Sequence, residues 1–547
     1  MRATNRRISE TASHPRAFTL VELVVAVAIA LVLTIAVGSV FRMTSDTIGA
    51  GQALGGVVRD SRAVQTVIAS DLSGAVLPYG AGASTLEDGP FLLIRSERLT
   101  MFRTRNDQVT DRDGDVYTLD FNANNTEGEP NVPGEVVRHT DVNGRSHRLD
   151  RLMFFGRGLF GRQTGGDVAS GGRGPFVADM SGHEAFVWYG HLRLPDPTTP
   201  SGDARGYVSR LPGEVVPPAA LSQPQPANTL NFYAADWALG RMVVLLIGGE
   251  DTNADGVGDV LTDRHGTPQV YLRRTTRITD GTSVAPLHGR FRNRRVLSSD
   301  GADQWELEWS RYDVANTSIA QFREIVQRYG RQNVTFPWHV WFSGLRFEAD
   351  PHPGKPLTAA GVARTGPILL SNCAHFIVEY AGDFVTQDSD PIRGSSTPEQ
   401  DGTVLRVGPD GAVDFIVLPD GSRQTRWYGL PRDTSGDGLV PGGRAHNNEM
   451  PDVVPLRDVR RTARDAPPAE AAPFERFENV GGQPPLPLPA TGDYATSLPA
   501  GASYTVAWGP DTADEPRPRM LRIVISLDDP RDRLAAPQTY PFIFRLP

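Results

Sequence analysis

The sequence predicts an α+β protein in which one long N-terminal helix precedes a β-rich body. Residues 18–41 form a strongly apolar run in a chain that is polar elsewhere, and beyond it the apolar residues occur in short β-branched or aromatic stretches bounded by turn residues. The 547 residues include 56 glycines and 44 prolines, a proportion that predicts many turns and argues against an all-α fold.

Composition narrows the class of protein. Hydrophobic residues make up 39% of the chain and charged residues 22%, so we expect a mostly folded body. The formal net charge is −9 without a basic stripe, so no nucleic-acid partner is expected, because phosphate-backbone binding needs clustered cations. Cys373 is the only cysteine in the sequence, which excludes intrachain disulfides and cysteine metal clusters, and we predict that it is a core residue.

The apolar run reads FTLVELVVAVAIALVLTIAVGSVF, with Glu22 as its only charge. As a helix its 24 residues span about 36 Å, enough to cross a hydrocarbon layer of about 30 Å. Residues 1–17 form a leader with four arginines against one glutamate, which predicts a cytoplasmic leader and a body across the membrane. The usual alternative is a secretory signal peptide, but its apolar core is only about 7–15 residues long.

Glu22 is the informative residue of this segment. A carboxylate inside a bilayer helix costs roughly 2.5–3.5 kcal/mol on insertion scales, so a partner is expected. A cut between Ala17 and Phe18 would create a positively charged α-amino group. We therefore expect Glu22 of one helix to neutralise the N-terminus of a neighbouring subunit.

The string Arg16-Ala17-Phe18-Thr19-Leu20-Val21-Glu22-Leu23 resembles the class III signal of type IV prepilins and type II secretion pseudopilins, with Ala17 where the family most often has Gly. The resemblance implies that prepilin peptidase cleaves between Ala17 and Phe18 and N-methylates Phe18, and that Glu22 acts in assembly. It also implies a pilin-like fold, in which the helix is first transmembrane and then amphipathic and packs on an antiparallel β-sheet.

Residues 42–75 are predicted to continue the helix with an amphipathic pattern. Their apolar residues recur mostly at steps of three and four: Leu54, Val57, Val58, Val64, Ile68 and Leu72. Four glycines, at 49, 51, 55 and 56, predict a place where the helix bends or melts, because each costs about 1 kcal/mol relative to Ala. Gly74 and Pro78 are expected to end it.

Residues 76–464 are predicted to form a β-rich extracytoplasmic body with large insertions, and residues 502–547 the C-terminal strands of the pilin-like sheet. One helix is expected near 318–328. Proline-rich loops are predicted at 195–229 and at 465–501, which contains PPLPLP. Strands are expected at 91–95, 99–105, 116–122, 186–188, 242–247, 270–274, 340–347, 374–380, 415–418, 505–508, 521–527 and 540–545.

Two further segments are similar to one branch of the family. The end of the helix at 67–72 and the terminal pair at 520–530 and 540–547 look like J-type minor pseudopilins of type II secretion and the related W-type minor pilins. The resemblance implies a subunit of the bacterial inner membrane that assembles with other pseudopilins at or near the tip of a periplasmic pseudopilus. A minor pilin of a type IV pilus and a membrane-anchored ligand-binding or enzymatic ectodomain stay open as alternatives.

Asp251, Asn253, Asp255 and Asp259 are candidate calcium ligands. They follow the D-x-N-x-D-G spacing that turns alternate oxygens toward one point, although the twelfth position is Thr262 where an EF-hand has Glu. A hairpin turn explains the same residues. Weaker matches to the same spacing occur at 111–115 and 433–438. Calcium is thus a candidate ligand, and no cofactor is required.

No short motif predicts catalysis. Residues 156–161 satisfy G-x-G-x-x-G, but the following residues are too rich in glycine to open the helix that would hold a pyrophosphate. Neither H-E-x-x-H nor G-x-S-x-G occurs in the sequence. We therefore expect a structural and assembly protein and no enzyme.

Overall fold

The computed structural model describes part of the chain, in two compact units, Met1–Gly56 and Val57–Pro547. The described residues are 19–76, 91–99, 147–164, 178–196, 208–212, 236–246, 261–262, 268–269, 290–297, 303–308, 314–315, 319, 342, 345–349, 365–387, 404–417, 422–430, 453–461, 475–478, 503–509, 515–529 and 538–547.

Helix α1 (Leu20–Ser73) is the dominant helix, with 54 residues. It is continuous through the four glycines, so the helix does not melt there; the regular backbone hydrogen bonds outweigh the modest cost of each glycine, and a bend at this place stays a prediction. The end is as predicted: Gly74 follows the last helical residue, and its N–H donates to the carbonyl of Asp71 at 3.2 Å.

The described residues contain 24 strands and, besides α1, one further helix that is described over several residues, α2 (Leu456–Arg461); Ile319, Phe342 and Thr365 are single described helical residues. The strands are β1 (Leu92–Leu99), β2 (His147–Arg148), β3 (Arg151–Thr164), β4 (Ala178–His191), β5 (Leu194–Asp196), β6 (Val208–Arg210), β7 (Ala238–Leu246), β8 (Leu261–Thr262), β9 (Pro268–Gln269), β10 (Arg290–Leu297), β11 (Asp303–Glu308), β12 (Val314–Ala315), β13 (Ile368–Ser371), β14 (Cys373–Gly382), β15 (Val385–Gln387), β16 (Val404–Val407), β17 (Phe415–Val417), β18 (Arg423–Thr425), β19 (Trp427–Tyr428), β20 (Val453–Val454), β21 (Glu475–Glu478), β22 (Ser503–Trp508), β23 (Pro518–Leu527) and β24 (Gln538–Arg545).

Two mainly antiparallel sheets organise the body. The larger has the order β12-β7-β4-β3-β1-β22-β21, with β13 also on β7 and β2 also on β1. The smaller has the order β20-β19-β14-β23-β24. The predicted α+β class with a long apolar helix and antiparallel sheets is therefore confirmed. The C-terminal strands do not share one sheet, because β22 joins the larger sheet while β23 and β24 join the smaller.

One hydrophobic core joins the helix to both sheets. Val64, Ile68 and Leu72 of α1 pack in a cluster with side chains of the larger sheet, such as Phe154, and of the smaller sheet, such as Ile523. Cys373 is completely buried in this core, as predicted. The other face of the larger sheet is covered by a second cluster that includes Ile319, Phe342, Leu345, Phe347 and Ala349.

Most predicted strands that fall on described residues are confirmed. They correspond to β1, β4, β7, β14, β17, β22, β23 and β24. The segments 116–122 and 270–274, and 99–105 apart from Leu99, lie outside the described residues. So does the helix at 318–328, apart from Ile319, which is helical.

Three predictions need correction. Phe342 and residues 345–347 are not in a strand, because their apolar side chains cover the larger sheet instead of joining it. The predicted loop at 465–501 contains β21, which pairs with β22, and the loop at 195–229 contains β6, which pairs with β5. Pairing with another strand, rather than local composition, decides these short strands.

The last strand, β24, lies at one end of the smaller sheet's order. It pairs with β23 from Met520↔Arg545 to Leu527↔Gln538, and Pro541 stands opposite Val524. Leu546 continues the register, since its N–H donates to the carbonyl of Arg519 at 2.9 Å.

Candidate functional site

The N-terminus of α1 is closed by a reciprocal contact between Thr19 and Glu22. The Thr19 N–H and hydroxyl both donate to Oε2 of Glu22, at 2.9 and 3.0 Å, and the Glu22 N–H donates to the Thr19 hydroxyl at 3.2 Å. This is a capping box, in which two otherwise unsatisfied backbone donors of the first turn find acceptors. Glu22 thus has an intrahelical partner that the sequence analysis did not identify, although the T-x-x-E spacing was readable.

The cap engages only one oxygen of the carboxylate. Within residues 19–76 and the other described ranges, Oε1 of Glu22 has no hydrogen-bond donor assigned to it, and the side chain is exposed. The negative charge also lies in the first turn, where the partial positive charge of the helix N-terminus favours it. One oxygen is therefore held by the helix and the other can accept a donor from outside the chain.

The surface that follows Glu22 is apolar and exposed on every side. Side chains from Leu20 (79% exposed) to Phe41 (71% exposed) face outward around the whole helix. A helix that is apolar all round is typical of a membrane span or of the centre of a helical bundle. Among the described helices, α1 alone is long and apolar enough to cross a membrane. This part of α1 is compatible with membrane anchoring.

The remaining predicted site residues cannot be placed. Ala17 and Phe18 lie outside the described residues, as do Asp251, Asn253, Asp255 and Asp259 and the segments 111–115 and 433–438. In the ranges that are described, no group of three or more His, Cys, Asp or Glu side chains is arranged to hold a metal ion. Calcium binding stays a prediction.

The glycine-rich segment 156–161 lies inside β3. Its backbone pairs with β4, with a register shift between Arg157 and Phe160. A dinucleotide site of this type needs a helix to follow the glycines, and here the strand continues to Thr164. The structure thus agrees with the rejection of this motif.

A cavity of about 370 Å³ lies beside β17 and β18, lined by residues that include Gln387, Asp410 and Asp414. Two of the polar side chains that line it, Asp414 and Gln387, already form hydrogen bonds with other groups of the protein. Asp414 accepts from the Phe384 and Val385 N–H groups and from the Tyr428 hydroxyl. Gln387 exchanges two hydrogen bonds with the backbone of Phe415, at 2.8 and 2.7 Å. The arrangement stabilises the loop and does not indicate a ligand.

Comparison with known proteins identifies one segment. No curated protein and no solved structure matches the chain. Residues 13–38 match the family described as the prokaryotic N-terminal methylation motif, and this match covers the basic leader's end, the Ala17–Phe18 junction, Glu22 and most of the apolar run. The chain therefore carries the N-terminal methylation motif of type IV prepilin-like proteins.

Proposed function

We propose that the protein is a J-type minor pseudopilin, cleaved before Phe18 and N-methylated there by prepilin peptidase, and assembled at or near the tip of a periplasmic type II secretion pseudopilus. The observation that carries the proposal is the coincidence of three features at one end of the chain. These are the methylation motif at 13–38, Glu22 in the first helical turn, and an apolar surface exposed on all sides of the helix.

Glu22 is the residue to which we assign assembly. Cleavage leaves the Phe18–Thr19 peptide bond intact, so the Thr19 N–H that caps the helix survives processing. The second carboxylate oxygen of Glu22, which the cap does not use, is then available to the α-amino group of a neighbouring mature subunit. Because the surroundings are apolar, that attraction is stronger than the same pair in water. The apolar surface provides the helix-to-helix contacts between the subunits.

N-terminal mass spectrometry of the membrane-extracted protein tests the processing step. We expect a mature chain that begins with N-methyl-Phe18, and an unprocessed chain in cells that lack prepilin peptidase. An intact Met1 in functional protein, or a cut after residues 38–50, would contradict the proposal.

Substitution of Glu22 tests the assembly step. Glu22→Gln keeps an acceptor oxygen for the cap but removes the charge, Glu22→Ala removes both, and Thr19→Val removes the hydroxyl contacts while keeping the charge. If charge pairing drives assembly, both Glu22 variants insert into the membrane but fail to co-purify with the major pseudopilin, whereas Thr19→Val loses little. Normal incorporation of Glu22→Gln would instead assign Glu22 to capping alone.

Two alternative functions can be distinguished from a pseudopilin by the proteins that co-purify with the chain and by the cellular location of its body. A W-type minor pilin would co-purify with surface pili rather than with secretion pseudopilins. An anchored enzyme or ligand-binding ectodomain would keep its activity after Glu22→Ala, without any filament partner. Protease protection in intact cells, lost in spheroplasts, is expected for a periplasmic body.

A further inference from the structure

The last turn of α1 carries an acid that two strands hold together. The side chain of Asp71 is only 6% exposed to solvent. Arg241 donates to it from Nε and Nη2, each at 2.6 Å to a different carboxylate oxygen, and the Tyr189 hydroxyl also donates to it. Tyr189 on β4 and Arg241 on β7 are direct partners in the antiparallel ladder. The carboxylate is therefore held by a matched pair from two adjacent strands.

Electrostatics favour the charged pair. Burial disfavours the charged form of Arg241, yet the hydrogen bonds and charge of Asp71 outweigh burial and raise the pKa of Arg241. Burial and the neighbouring carboxylate raise the pKa of Tyr189 well above its usual range, so its hydroxyl stays protonated and donates. A bidentate arginine fork adds geometric specificity as well as energy.

The apolar contacts of the same helix segment are less specific. Val57, Val64, Ile68 and Leu72 form its inward apolar stripe, and the buried Ser61 on the same face donates its hydroxyl to the Val58 carbonyl within the helix. A shift of α1 by one turn, about 5.4 Å, would place Ile68 near the position of Leu72 and Val64 near that of Ile68. Since apolar burial is non-directional, the stripe alone distinguishes these registers only weakly.

Asp71 removes this ambiguity, because a one-turn shift toward the C-terminus would set Val67 or Ile68 against Arg241. In that register Arg241, whose side chain is 30% exposed, would lose its carboxylate partner, which would destabilise the shifted position. Two backbone bonds just after the helix, from the Arg157 N–H to the Gly74 carbonyl and from the Val76 N–H to the Phe155 carbonyl, lie at the same end. They too are specific to the observed register.

We propose that Asp71, held by Arg241 and Tyr189, is a register lock that selects one of several one-turn positions of the segment Val57–Ser73 on the larger sheet. The apolar stripe supplies most of the contact area, and the lock supplies the choice of position. The lock acts within the second unit and does not depend on pseudopilus assembly, so it stands or falls separately from the proposed function.

Spin-label distance measurements on the full chain in detergent test the lock. Labels on Ser70→Cys and Gln424→Cys occupy exposed positions of the second unit, and the only native thiol, Cys373, is buried. The test variant is Asp71→Leu with Arg241→Met, which replaces both members of the ion pair with apolar side chains. The matched control is Asp60→Asn, which removes an acid from an exposed pair on the same helix.

The unsubstituted protein and the Asp60→Asn control should each give a single narrow distance distribution. The apolar double variant should gain a second population, in which the label on α1 has moved along the axis by about 5.4 Å. Asp71→Asn keeps the volume of the side chain and one acceptor, and it should show the same second population if the double variant does not fold. A single narrow distribution in a folded Asp71 variant would overturn the proposal and assign the register to the backbone bonds.

Discussion

The two parts of α1 share one helical geometry and present opposite surfaces. Residues 20–41 are exposed on every side although they are almost entirely apolar, whereas from Val57 onward the apolar residues lie mainly on one stripe that is largely buried. The second part finds its surroundings within the chain. None of the described residues covers the first part, and such a surface is typical of a helix that lies in a membrane or among other helices.

The acids on the two parts differ in the same way. Asp71 receives its cation from the chain itself, at Arg241. Among the described residues, Glu22 is held by Thr19 through Oε2, and its Oε1 takes no part in the cap. An acid whose cation lies within the chain serves the fold, while an acid that offers an oxygen outward is suited to contact another molecule.

Matched isoleucines give the largest expected difference between the two parts. Ile68 is completely buried, and Ile68→Ala should lower the free energy of unfolding of the body by about 2–5 kcal/mol. Ile35 lies on the same helix and is 63% exposed, so Ile35→Ala should change the free energy of unfolding by less than about 0.5 kcal/mol. Urea unfolding in detergent, followed by the fluorescence of the buried tryptophans, measures both. Equal effects would mean that the two parts do not differ in the way described.

Asp414 extends the comparison to an acid whose hydrogen-bond donors are neutral. Burial raises its pKa from 3.8 to about 7. The folded state therefore binds a proton more tightly than the unfolded chain, so stability falls as the pH rises from about 4 to about 7 and levels off above that. The contribution is at most roughly 4 kcal/mol.

The urea midpoint of the unsubstituted protein should therefore be lower at pH 8 than at pH 5. Asp414→Asn should remove most of the difference, since the amide cannot ionise. An unchanged pH slope in that variant would show that other groups produce it.

Alanine substitution at two glycines, one within α1 and one just after it, should produce smaller changes in stability. A Cβ on Gly74 would lie 2.5 Å from the carbonyl oxygen of Arg157, so Gly74→Ala should cost about 1–3 kcal/mol through a backbone shift. Gly55, within the helix, has nothing within 4 Å of that position, so Gly55→Ala should stabilise the helix by up to about 1 kcal/mol. Circular dichroism during thermal unfolding reports both, and the two changes should have opposite signs.

Local signals were sufficient for α1 and for strands such as β14 and β23. The apolar run at 18–41 and the helix end at Gly74 can each be recognised from neighbouring residues alone, and strand propensity is a property of short segments. Local sequence does not predict the full length of β3, because the segment from Gly156 is rich in glycine and resembles a nucleotide-binding motif more than a strand. The strand exists because β4 supplies a partner along its length.

The residues of the candidate site also differ in whether local sequence alone could identify them. Glu22 was identified because a charge within an apolar run is visible in the sequence. Its cap, Thr19, is three residues away and could have been found from the T-x-x-E pattern. Asp71 and Arg241 are separated by 170 residues, and only the fold shows that they meet. The division of the body into two sheets likewise depends on long-range pairings such as β14 with β23.

The proline in β24 has a consequence for contacts made by the smaller sheet. Leu546 and Arg519 form a hydrogen-bonded pair, so the alternation of the ladder places Pro541 at a position whose backbone groups point away from β23. Proline lacks the N–H that an incoming strand would need there. A strand added to β24 from another molecule would therefore find one backbone donor missing at Pro541, which disfavours polymerisation through this strand.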